Sequence, residues 1–170
     1  MSDSEKTFDV TSGLQIADGY SKAAFLLMKY SSKNEDSEVI HSLMILKGLA
    51  LEVYLKCLHA LDHKKAYEGH DVKRLFDALS EQTQTRVAEY YEELVGKSRF
   101  IEQTHAHHKA MKGHEAKMDL EHVLGEWSHA FGKWKFFYEP EHKVSFLAFG
   151  ELRKALRQRI HELKPELVAA

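Results

Sequence analysis

Between Val39 and Leu61 the chain reads VIHSLMILKGLALEVYLKCLHAL. At 100° per residue, His41, Gly48, Glu52, Lys56, His59 and His63 fall on one narrow polar arc, and apolar side chains take nearly all the remaining circumference. A helix apolar over most of its surface must be covered on several sides, so this stretch belongs at the centre of a helical bundle. Only two prolines, Pro140 and Pro165, interrupt the 170 residues. Nothing breaks a helix over most of the chain, and the expected fold class is all-α.

A chain of this length is most simply one domain with a core large enough to need no disulfide or metal staple. Residues 1–12 read as a flexible N-terminal lead and residues 13–165 as a single helical domain. The formal charge of −2 argues against coating nucleic acid by bulk electrostatics, though it allows a local basic stripe. The single Cys57 lies inside the apolar helix, where it reads as a small buried hydrophobe. The opening MSDSEKTFDV lacks the positive start and apolar stretch of a secretory signal, and no apolar run approaches the roughly 18 residues of a membrane span. The expected location is cytoplasmic, with no membrane partner.

From Leu14, the recurrence of Ile16, Ala17, Tyr20, Ala23, Ala24, Leu27 and Met28 predicts a first helix with one buried face. A polar turn at Ser31–Ser37 offers Asp36 or Ser37 as N-cap of the central helix. Asp71 in GHDVKRLF reads as the cap of a short helix rather than as a catalytic acid. A helix from Glu81 to Val95 follows, with Gly96 as its stop and a loop or imperfectly packed helix after Arg99. Asp119 caps a helix carrying Leu120, Val123, Leu124, Trp127, Phe131, Trp134 and Tyr138 on one stripe, ended by Pro140. The last helix is expected from Val144 to Leu163.

Two features could carry binding. Lys47 projects among Leu43, Leu51, Tyr54 and Leu58, where every other residue is apolar. Either its stem packs on the core while its ammonium snorkels outward, or it meets a carboxylate or bound anion in a pocket or interface. On the last helix Arg153, Lys154, Arg157, His161 and Lys164 share an arc of roughly 100°. That stripe is either a solvated face or a track for phosphates.

The segment LKGLALEVYLKCLHAL, then GHDVKRLF and later HAFGKWKFFYE, resembles the HEPN superfamily, in particular stand-alone bacterial members with a Trp-Arg-Tyr-like signature on the penultimate long helix. The resemblance spans about Leu14 to Leu163 and rests on the order of short motifs. It implies an up-and-down bundle of about five helices, usually a homodimer, in toxin–antitoxin, phage-defence or RNA-processing settings, with a nucleotidyltransferase or antitoxin as partner. Many such proteins are metal-independent ribonucleases, in which an Arg stabilises developing phosphate charge and a His four to six residues later moves protons.

Here the matching pair is Arg99 and His105 in RFIEQTH, with Phe100 where a polar residue is usual. On one continuous helix the two would stand about 240° apart, so a shared cleft calls for a helix start between them. The other pair is Lys135 and His142, where Lys replaces the bidentate Arg and Pro140 intervenes. The leading expectation is therefore a HEPN-like module that binds a nucleotide, RNA or protein partner without catalysis, through Lys47, Lys135, His142, Arg153 and Arg157. The alternative is a ribonuclease using Arg99 and His105. A third reading makes His105, His107, His108 and His114 a metal site, although no recognised zinc spacing is present. No cofactor is expected, and no glycine-rich phosphate loop, nucleophile elbow or His-Glu-x-x-His pair occurs.

Overall fold

The structure is a computed structural model that describes residues 8–34, 39–133 and 148–168. It is all-helical over these residues: α1 (Val10–Asn34), α2 (Ile40–His63), α3 (Val72–Asp77), α4 (Glu81–Lys97), α5 (Arg99–Lys112), α6 (Leu120–Lys133), α7 (Phe149–Leu163) and a final 3-10 turn, Pro165–Val168. Seven α-helices are present among the described residues, more than the five expected, because the middle of the chain divides into α3, α4 and α5. None is long and apolar enough to cross a membrane.

The apolar helix is central. Leu51, Tyr54, Leu55 and Leu58 are fully buried, and α1, α3, α6 and α7 all pack on α2. Truncating one of these leucines to Ala would cost about 3–4 kcal/mol. The narrow polar arc is also largely covered. Glu52 and His59 are buried; His70 Nδ1 and Lys56 Nζ lie 2.8 and 2.7 Å from Glu52 Oε1, and His59 Nδ1 meets the Lys65 carbonyl at 3.2 Å. The stretch after His63 thus folds back over the polar side of α2.

Helix α1 runs antiparallel to α2, since Cys57 meets Val10 while Tyr54 meets Asp18 and Ser21. It starts at Val10, earlier than expected: Asp9 accepts from the Thr11 amide and the Ser12 hydroxyl, which turns residues 10–12 into a capped first turn. Its buried face is Val10, Leu14, Ala17, Ser21 and Ala24, while Ile16 and Met28 are exposed. Small residues win that face because α2 approaches closely. A Cβ on Gly13 would stand 2.6 Å from the Phe8 ring and 2.9 Å from Cys57 Sγ.

The caps organise the remainder. Asp71 accepts from the Arg74 amide at 2.8 Å and from Ser128 Oγ at 3.0 Å, while Ser128 Oγ accepts from the Lys73 amide, which fastens α6 to α3. Asp119 caps α6 through the His122 amide, and Val123, Leu124 and Trp127 are buried. Gly96 does not stop α4, which runs on to Lys97; Ser98, in extended conformation, ends α4 and caps α5 through the Ile101 amide. Helix α7 begins at Phe149. Asp36, Ser37, Trp134, Tyr138, Pro140 and Val144 lie outside the described residues, as does most of the HAFGKWKFFYE motif.

Candidate functional site

A cavity of about 540 Å3 opens between α1, α2, α5 and α7. Three of the expected binding residues, Lys47, Arg153 and Arg157, line it together. Each arrives from a different constraint. Lys47 sits on the otherwise apolar side of α2, so its stem is committed to the core. Arg153 and Arg157 are one helical turn apart on α7 and share its edge.

Lys47 is half-buried, with Nζ 5.4 Å from the centroid of the Phe149 ring. It ion-pairs with no carboxylate among the described residues. Burial pushes its pKa below the ordinary lysine value. Phe149 and the exposed Phe25, Met28 and Phe100 supply the apolar part of the walls.

Arg157 has a different state. Its Nε and Nη2 donate to the Asp18 carboxylate at 3.0–3.2 Å, and Nη1 lies 2.9 Å from His161 Nε2. The guanidinium donates there, so His161 Nε2 is the acceptor of a neutral ring; burial and the Arg157 charge both lower the His161 pKa. Asp18 also accepts from the Tyr54 hydroxyl at 2.5 Å. Burial works to raise the Asp18 pKa, but the hydrogen bonds from Arg157 and Tyr54 outweigh it and hold the carboxyl below its usual value. Tyr54 is in turn pushed up to about 12, by burial and by the Asp18 carboxylate it serves. Glu151, the other acid on the wall, is buried and accepts from Ser98 Oγ at 2.6 Å.

The basic stripe expected on α7 is therefore divided. Arg157 is neutralised by Asp18, His161 serves Arg157, Lys154 is exposed, and Lys164 borders a separate small pocket. Arg153 remains, half-buried on the cavity wall; it interacts with the Tyr54 hydroxyl and helps to lower the Asp18 pKa, but forms no close ion pair among the described residues. Sequence reasoning missed Asp18. The available signal was its place between Ala17 and Ser21, on the margin of the buried face of α1.

Arg99 and His105 line a second groove of about 620 Å3, with Ser98, Glu102 and Lys109. The helix starts at Arg99 itself, so both residues belong to α5, and both border the groove all the same. Arg99 is exposed; His105 is half-buried, and its Nδ1 is enclosed without a hydrogen-bond partner among the described residues. In the histidine run, His108 Nδ1 meets the His114 carbonyl at 3.0 Å and the two rings lie 5.0 Å apart. No three of His, Cys, Asp or Glu converge as metal ligands among the described residues. Lys135 and His142 lie outside them.

Compared with protein-family models, curated proteins and solved structures, the chain matches none.

Proposed function

We propose that this chain is a HEPN-like, homodimeric binding module whose cavity takes a nucleotide. The observation that carries the reading is the coincidence of Lys47 and Arg153, cations in no close ion pair among the described residues, with Phe149 and Phe100 on the walls of one cavity. The cations suit a phosphate, and the aromatic rings offer faces to a base. A volume of about 540 Å3 lies within the range of small-molecule sites. A cavity of that volume suits a single nucleotide better than an RNA strand or a protein segment. Asp18 reduces the charge that Arg157 can offer, so binding falls chiefly to Lys47 and Arg153.

Titration calorimetry with mononucleotides in excess chelator tests this. Wild type is expected to bind, and Lys47→Met or Arg153→Gln to weaken binding at least about tenfold, the loss of one charge-assisted contact. No binding by wild type, or variants that bind as tightly as wild type, would sink the reading.

A second reading draws on the shared groove of Arg99 and His105. There the guanidinium would stabilise charge on a phosphate attacked by the neighbouring ribose hydroxyl, and His105 would move the proton. Single-stranded RNA incubated with chelator is expected to be cut by wild type and spared by Arg99→Ala and by His105→Ala. Cleavage that survives both substitutions would assign it to another site or a contaminant.

A further inference from the structure

The nucleotide reading leaves one chemical property of the cavity unused. Lys47 is an amine on the wall of an open cavity, beside an aromatic face and ion-paired to no carboxylate among the described residues. Among the described residues, the titratable and charged groups around it are Asp18 and Lys22 from α1 and Glu151, Arg153 and Arg157 from α7, while α5 contributes Phe100. Both carboxylates are engaged elsewhere, Asp18 by Arg157 and Tyr54, Glu151 by Ser98. Lys22 and Arg153 add positive charge. Burial lowers the Lys47 pKa in spite of the Phe149 ring face, which favours the ammonium, and so raises the share of the neutral amine, the nucleophilic form of lysine. The neighbouring cations draw in an anion.

We infer that the cavity binds an anionic aldehyde or ketone, and that Lys47 joins its carbonyl carbon as a Schiff base while Arg153 and Lys22 hold the anionic group. This rests on the cavity being the anion site of the preceding reading. In the step, the Nζ lone pair attacks the carbonyl carbon and the C=O π pair moves to oxygen, which takes up a proton through water as Nζ gives one up. The resulting carbinolamine loses its hydroxyl, with a further proton, as water, and Nζ releases its remaining proton. One C=N bond replaces one C=O bond, one water is released, and no oxidation state changes. A phosphate ligand pairs with the ammonium form of Lys47, and a carbonyl ligand takes the amine form.

The test uses the full chain with pyridoxal 5′-phosphate and, in parallel, pyridoxal without the phosphate, over a series of pH values. Borohydride reduction fixes any imine, and peptide mass spectrometry locates the adducts, with the exposed Lys112 and Lys117 as internal standards. The phosphorylated aldehyde is expected to label Lys47 at least about fivefold ahead of those lysines, with its half-maximal pH displaced downward. Arg153→Gln should reduce labelling at Lys47 while leaving Lys112 and Lys117 labelled as before. Labelling of Lys47 no faster than the exposed lysines overturns the inference. Equal preference for Lys47 with both aldehydes upholds the nucleophilic amine but overturns the anionic ligand class, and the phosphate-binding role of the cavity falls with it. Phosphate-dependent labelling of Lys47 in a protein that binds no nucleotide removes the nucleotide reading alone.

Discussion

Arg157 and Lys47 share a wall yet offer a ligand different things, because Arg157 is paired with Asp18 and Lys47 with no carboxylate among the described residues. Asp18 takes two sides of the Arg157 guanidinium and the Tyr54 hydroxyl, linking α1, α2 and α7 at one carboxylate. The folded-state pKa of Asp18 lies below its ordinary 3.8. Its contribution to stability is therefore complete above the unfolded-state value and is lost as pH falls through the folded-state value. Asp18→Asn keeps an acceptor for Tyr54 and removes the charge. At neutral pH it is expected to lower unfolding stability by about 1–2 kcal/mol, a figure reduced for the partial exposure of the pair. In urea titrations the gap between wild type and variant should stay constant down to about pH 5 and narrow below it. A gap unchanged into strong acid would mean that the ion pair is not what the substitution removes.

At the scale of elements, the legible parts of the chain were those set by local chemistry. Asp71 and Asp119 cap their helices as read from the sequence, since a capping side chain needs only the amides two or three residues ahead. The face of α1 was harder. Periodicity gives weight to large apolar residues, but close approach to α2 put Ala17, Ser21 and Ala24 inside and left Ile16, Phe25 and Met28 exposed. Gly96 lacked the left-handed conformation that would make it a stop, and the extended backbone of Ser98 ended α4 one residue past Lys97. Lys47 stood out as the one charge on an apolar side. Asp18 did not, because its partner Arg157 is 139 residues away in the chain. The grouping of Phe100 and Phe149 likewise depends on how α5 and α7 meet. Helix α5 buries only Ile101 and is tied across to α7 by Ser98 and Glu151.

For the whole molecule, the unanswered demand is that of the outer surface. The bundle covers α2 between Ala50 and Ala60, yet the α1–α2 hairpin leaves Leu26 and Tyr30, one turn apart, and Ile40 and Ile45 between about two-fifths and three-fifths exposed. Covering a side chain of this size with apolar surface yields up to roughly 1.5–3 kcal/mol, so a second copy seated on this hairpin would be stabilised by each one it covers. Light scattering on a sizing column is expected to give twice the mass of the chain for wild type. Leu26→Glu combined with Ile45→Glu should return the monomer with helicity unchanged by circular dichroism, because both positions are exposed and neither contributes to the core. If the double variant remains a dimer, the contact lies on another face; if wild type is monomeric across accessible concentrations, the module works as a single bundle and the cavity of Lys47 and Arg153 is complete within one chain.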